Sequence, residues 1–172
     1  MNNYRKEILP ALIEYFENDK RYFLLYGDMG FGGIDSFKLK YPTRILNFGI
    51  AEQAMVGVAA GMSMSGLIPI VYTMCNFLCY RALEQIRNDV VLQNLNVKFI
   101  GTGANDYFSF LGDSHTCGTD DIAIFDTIGL DVNNPYRNGM WDNVWYNFHN
   151  AVTFKICVKQ WIENKKASYI RV

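Results

Sequence analysis

Apolar residues along this chain fall into blocks of two kinds, and the two kinds alternate. Ile8, Leu12, Ile13 and Phe16 recur at helical spacing between Tyr4 and Asn18. Pro10 sits inside that stretch, as a first-turn residue or a kink. Tyr22–Tyr26 (Y-F-L-L-Y) is a continuous apolar run, the pattern of a strand buried on both faces. Gly27 to Thr43 is glycine-rich and polar and reads as a loop. A strand (Arg44–Phe48), a helix (Ala51–Ser65) and a strand (Ile68–Tyr72) follow. Asn76 is placed to cap a helix from Phe77 to about Leu92. V-K-F-I-G (Val97–Gly101) reads as a further strand, and Thr102 to Gly118 as a loop. Asp120 and Asp121 suit the first turn of a short helix reaching Thr127.

The tail admits two patterns. Trp141, Val144, Trp145 and Phe148 make a helical stripe. V-T-F-K-I-C-V is β-prone by composition, yet Ala151, Val152, Val158 and Ile162 extend the stripe. Y-I-R-V closes as a strand. Strands alternating with helices predict an α/β fold, a mostly parallel sheet with helices on both faces. At 172 residues a single domain over 1–172 is expected.

Composition narrows the class. Half the residues are apolar, so the chain is globular. Sixteen basic residues against seventeen acidic ones leave no basic stripe, which argues against a nucleic-acid partner. The four cysteines form no C-x-x-C pair and suggest buried, reduced thiols of a cytoplasmic protein. With two histidines in the chain, a structural zinc site is not expected. Glu7 follows the first basic residues where a leader would place an apolar core. Ala54 to Tyr80 carries no charge and is long enough to span a bilayer. Gly57, Gly61, Gly66 and Pro69 punctuate it, so a buried helix, a turn and a buried strand explain it better than a membrane span.

Candidate chemistry centres on N-F-G-I-A-E-Q, Asn47 to Gln53. Glu52 stands at the mouth of a helix, and no charged residue follows it until Arg81. An acid there is either a partner of the helix dipole, worth roughly 0.3–1 kcal/mol, or a functional carboxyl in apolar surroundings. The glycine run Gly27–Gly33 follows a strand but lacks G-x-G-x-x-G with a helix opening behind it, and no P-loop motif occurs. Asp28 within it suits a turn. Phe77 and Tyr80, three apart, share a helical face, as core or as a stacking surface. Arg81, Glu84 and Arg87 can pair along that helix.

Taken in order, Y-G-D-M-G (Tyr26–Gly30), G-I-A-E-Q, R-A-L-E-Q-I-R-N-D (Arg81–Asp89), G-D-S-H (Gly112–His115), D-I-A-I (Asp121–Ile124) and the closing Y-I-R-V resemble the pyrimidine-binding domain of transketolase-like thiamine diphosphate enzymes. The likeness is closest to the shorter chain of two-chain transketolases. It covers roughly Tyr22 to Ala123 plus the last strand. It implies that Glu52 hydrogen-bonds the pyrimidine N1′ of thiamine diphosphate and favours the tautomer that deprotonates the thiazolium C2. That role asks for a carboxyl able to hold or share a proton near neutral pH. The resemblance further implies that Phe77, with Tyr80 beside it, packs against the aminopyrimidine ring. Asp28 matches a position at the active-site edge, and His115 matches a substrate-facing histidine. His149 reads as structural.

The chain departs from the family pattern at two places. Transketolases carry an aspartate that reads a donor hydroxyl four residues before that histidine, where this chain has Leu111. A second histidine that often follows is Thr116 here. The family's diphosphate and Mg²⁺ motif, G-D-G followed by N-N, is also missing: Gly27-Asp28-Met29 does not match, and Asn133-Asn134 lies too far away. The resemblance therefore implies a pyrimidine-binding subunit in a hetero-oligomer. A separate chain would supply the diphosphate site, and no metal ligand is expected in this one. Sugar or 2-oxo acid substrates follow, with transfer of a two-carbon ketol or acyl unit. A 2-oxo acid decarboxylase subunit and a non-catalytic regulatory partner are the alternatives.

Overall fold

A computed structural model describes residues 4–29, 33–103, 107–129, 144–145 and 151–172. Among the described residues six strands form one sheet: β1 (Tyr22–Tyr26), β2 (Ile45–Asn47), β3 (Ile68–Met74), β4 (Lys98–Thr102), β5 (Val144–Trp145) and β6 (Ser168–Arg171). Their order is β2-β1-β3-β4-β6-β5, and every neighbouring pair is parallel. The α/β architecture expected from the alternating pattern is the one that forms.

Side chains alternate across the sheet with the period of two that a strand imposes. Leu24, Ile70, Ile100 and Ile170 enter one apolar core. Leu25, Val71, Phe99 and Tyr169 enter the other. The first core is covered by α1 (Ile8–Ala11), α2 (Ile13–Asn18), α3 (Gly33–Lys40) and α7 (Ala151–Glu163). The second is covered by α4 (Glu52–Met64), the helical stretch from Phe77 to Val91 that includes α5 (Leu83–Gln85), and α6 (Asp120–Thr127). Both faces being buried explains why the strands read as unbroken apolar runs. The charge-free Ala54–Tyr80 segment is divided among α4, β3 and the turn after it. Among the described residues no helix is long and apolar enough to cross a membrane.

Four elements differ from the sequence expectation. Helix α3 lies inside the expected loop, because Ile34, Phe37 and Tyr41 form a buried stripe against Leu9 and Phe16. The helix expected from Tyr4 is divided: a 3₁₀ turn (Tyr4–Lys6) precedes α1 and α2, and Pro10 falls in the single turn of α1. Asn76 does not cap a helix. Its backbone is already helical (φ −65°, ψ −31°) and its amide reaches elsewhere. The stretch that follows winds partly as π-helix, at Phe77–Arg81 and Ile86–Val91. In the tail, Val144 and Trp145 pair as β5 along the open edge of β6 instead of joining a helix. An edge strand's unpaired backbone groups offer that partner. The β-prone segment before Val158 is helical, as part of α7. Trp141, Phe148, His149 and Asn133-Asn134 lie outside the described residues.

Opposite the strands' carboxyl ends, Lys98 is fully buried. Its ammonium donates to the carbonyls of Asn164 (2.5 Å) and Lys166 (2.8 Å), just past the end of α7. Cations are favoured at a helix C-terminus. Burial nevertheless pushes Lys98 down to about 7, with Lys165 adding repulsion.

Candidate active site

The order of strands reverses between β1 and β3. The chain leaves β1 outward to β2, then returns to β3 on the other side. In open parallel sheets ligands bind at such a switch point, outside the strands' carboxyl ends. The loops after β1, β2, β3 and β4 converge there, and each brings one or more of the candidate residues.

Gly49, in the left-handed region (φ +65°), turns the chain out of β2 and toward α4. The Asn47 side-chain oxygen accepts from the Gly49 N–H (2.8 Å) and from the Asp28 N–H (3.2 Å). Asn47 also donates to the Asp28 carboxylate (3.2 Å). Asp28 itself has φ +31°, a conformation that Asp and Asn tolerate better than most residues. These bonds tie the loop after β1 to the loop after β2 and fix the entry to α4.

Glu52 is the first residue of α4 and is 2% exposed. One carboxylate oxygen accepts from the Thr73 hydroxyl at the end of β3 (3.4 Å). The other accepts from the Arg81 guanidinium at 2.6 Å. A Cβ on Gly27 would stand 3.4 Å from the first oxygen and 3.1 Å from the Thr73 hydroxyl. The absence of a side chain at Gly27 is what lets β1 pass so close to the acid.

The Arg81 guanidinium also lies over the Phe77 ring, 4.1 Å from its centroid. The His115 imidazole meets the same ring edge-on, with centroids 5.4 Å apart. Glu52, Arg81, Phe77 and His115 therefore form one continuous set. His115 shares a hydrogen bond of 2.9 Å with the Ser114 hydroxyl. The Asn76 amide donates to the Ser114 carbonyl and pins the His115 loop to the turn carrying Phe77. Gly112 begins that loop at φ +89°.

Tyr80 is in the same π-helical turn but is mostly exposed, and its hydroxyl donates to Asp120 at the head of α6. That hydrogen bond, then partial burial, holds the Tyr80 phenol above its ordinary range. Asp28 is exposed at the outer edge, against Asn47. Leu111 is exposed in the 3₁₀ turn (Ser109–Leu111) before the His115 loop. Arg81 pairs with Glu52 across the site and not with Glu84 along its own helix.

A family description, "Transketolase, pyrimidine binding domain", matches residues 2–151. The chain belongs to the transketolase pyrimidine-binding domain family. The transketolase family is thiamine diphosphate-dependent. The chain is 31% identical to the 6-deoxy-6-sulfo-D-fructose transketolase subunit SqwH of Clostridium sp. (strain MSTE9) over 133 residues, 76% of this chain and 41% of that protein. It is 36% identical to an apulose-4-phosphate transketolase subunit of Actinobacillus succinogenes over 96 residues, 56% of this chain and 30% of that protein. A solved split-gene transketolase, an inactive β4 tetramer, superposes with a TM-score of 0.75 at 30% identity, covering 97% of this chain and 49% of that one. The chain thus spans less than half the length of each of these relatives.

The residues present fit the pyrimidine half of that cofactor. A buried acid, a glycine floor that a Cβ would fill and a flat aromatic face stand together at the switch point.

Sequence patterns missed the clasp made by Asn47 and the role of Asp121. Asp121 is fully buried at the head of α6, forms an ion pair with Arg171 Nε (3.1 Å) and accepts from the Tyr169 hydroxyl (2.5 Å). Arg171 also donates to the Gly118 carbonyl. Burial works most strongly against the charge on Arg171, but Asp121 together with Cys75 and Tyr169 outweighs it and holds Arg171 above its ordinary range. The D-I-A-I and Y-I-R-V motifs are therefore two halves of one buried anchor. Cys75, buried against the Tyr169 hydroxyl (3.2 Å), has its thiol pushed up by burial.

Proposed function

We propose that this domain is the pyrimidine-binding subunit of a two-chain, transketolase-like enzyme that transfers a two-carbon ketol or acyl unit. Glu52 takes the hydrogen bond of the pyrimidine ring and exchanges a proton with it. Phe77 supplies the stacking face. His115 faces the substrate, a sugar or 2-oxo acid, as proton shuttle or oxyanion donor. Asp28 holds the rim of the site through Asn47. When bound, thiamine diphosphate supplies a carbon nucleophile that reverses the polarity of a carbonyl carbon. The observation that carries this reading is the Glu52 carboxylate, buried at the switch point and joined through Arg81 to the ring of Phe77.

A separate chain would hold the diphosphate and its Mg²⁺. Two relatives are named as subunits, and a third is a split-gene product. Ile50, Tyr80, Phe110 and Leu111, all exposed and apolar, lie on or beside the site's loops, as an association surface would require. Calorimetric titration of the chain with thiamine diphosphate and Mg²⁺ tests this division. Weak or undetectable binding alone, and tight binding with the second chain, is expected. Tight binding by this chain alone would refute it.

Leu111 favours one variant of the reading, a donor with less hydroxylation near the cleaved bond, such as a 2-oxo acid. An apolar side chain stands where a hydroxyl reader is expected.

A further inference from the structure

Arg81 meets both groups that the proposed function assigns to the pyrimidine ring. Its guanidinium donates to Glu52 at 2.6 Å and covers Phe77 at 4.1 Å. A guanidinium is planar and rich in N–H donors. Those are the features by which an aminopyrimidine would be held: a flat π-face on Phe77 and a nitrogen on the Glu52 carboxylate. The ring and the guanidinium cannot both occupy that face of Phe77 and that carboxylate oxygen.

We propose that Arg81 is a built-in stand-in for the pyrimidine, which must swing off Glu52 and Phe77 before the ring can enter. The inference rests on the pyrimidine-binding reading of the site and adds a gate to it. Three features suit Arg81 to leave. Its side chain is 38% exposed, whereas Glu52 is 2% exposed, so the arginine end of the pair can reach water and the acid cannot. The cation–π contact is individually weak and the incoming ring renews the hydrogen bond on Glu52, so displacement costs a small factor in affinity. Arg81 also ends its π-helical turn, with Ala82 already out of helical geometry (φ −113°, ψ 16°). Until the ring arrives, the stand-in keeps the buried acid paired, which avoids the cost of an uncompensated buried charge.

The gate predicts competition. The probe is 4-amino-5-hydroxymethyl-2-methylpyrimidine, an uncharged mimic of the ring, titrated into the full chain by ligand-observed NMR. Arg81→Ala is expected to bind it about three- to tenfold tighter than the parent chain. Arg81→Gln, which keeps a polar, uncharged end on a shorter stem, should fall on the same side. Raising salt from low to moderate should tighten binding to the parent chain by screening the pair and leave Arg81→Ala unchanged. Circular dichroism checks that each variant folds. Equal or weaker binding by both variants would overturn the gate, since Arg81 would then be neutral toward the ring or help to hold it. If the parent chain and both variants all fail to bind the probe even at millimolar concentration, where ligand-observed NMR still detects binding too weak for calorimetry, the pyrimidine-binding reading itself falls, and the gate with it.

Discussion

Glu52 and Arg81 stand 29 residues apart in sequence, yet their charged ends meet at 2.6 Å. The contact joins the first turn of α4 to the π-helical turn after β3, across the point where the sheet reverses its strand order. Both ends are positioned by backbone features at strand termini. On one side stand the Gly49 turn and its Asn47 clasp. On the other, β3 runs directly into a helical turn, without a loop between them. π-helical turns often accompany functional sites.

Gly27 tests how closely this packing is set. Gly27→Ala would drive a Cβ against the Thr73 hydroxyl (3.1 Å) and the Glu52 carboxylate (3.4 Å). These contacts are tight but not prohibitive, so a stability loss of about 1 kcal/mol is expected by chemical denaturation. The acid would shift by a fraction of an ångström, and turnover of the two-chain enzyme should fall by roughly 10- to 100-fold. Unchanged turnover in the variant would show that Gly27 does not set the position of Glu52.

The buried anchor between α6 and β6 predicts a large effect on stability. Arg171→Met leaves the Asp121 carboxylate in the core without its cation. Breaking a buried pair on one side costs about 3–5 kcal/mol. Tyr169→Phe removes a single donor to the same carboxylate and should cost about 1–2 kcal/mol. Urea midpoints for the two variants measure the difference. A smaller loss in Arg171→Met than in Tyr169→Phe would contradict the assignment of Arg171 as the principal partner.

Lys98 gives the fold a pH dependence. Its folded-state value is about 7, against an ordinary 10.5, with burial as the main cause. Between those values the unfolded chain binds more protons than the folded one, so stability rises with pH. The contribution of this group is at most about 1.4 kcal/mol per pH unit within that window, and it is flat below and above. Urea melts between pH 7.5 and 9.5 should show the slope, and Lys98→Met should remove most of it. An equal slope in the variant would place its origin elsewhere.

Much of this was legible in the sequence, for physical reasons. Buried parallel strands announce themselves as runs such as Tyr22–Tyr26, and the G-I-A-E-Q segment marked Glu52 at a helix mouth. What stayed hidden depended on distance along the chain or on backbone detail. Asp121 and Arg171 are separated by 50 positions and carry no mutual signal. Helix α3 was masked by the glycines and Pro42 around it, although Ile34, Phe37 and Tyr41 do follow a helical period. The π-winding at Phe77 turns Tyr80 toward Asp120, where α-helical spacing had put it beside Phe77. Arg81 looked like a surface partner of Glu84, because one-dimensional spacing cannot show that its face turns inward to Glu52.

Proton exchange at C2 of thiamine diphosphate reports most directly on the role of Glu52, since it needs no knowledge of the substrate. The rate is read by ¹H NMR in deuterated buffer, on the complex of this chain with a diphosphate-binding chain. The parent complex should accelerate exchange strongly over the free cofactor. Glu52→Gln, which keeps the size of the side chain and much of its hydrogen bonding, should lose about 10²–10⁴ of that rate while the cofactor stays bound. Exchange at the parent rate in a folded, cofactor-loaded Glu52→Gln complex would contradict the account.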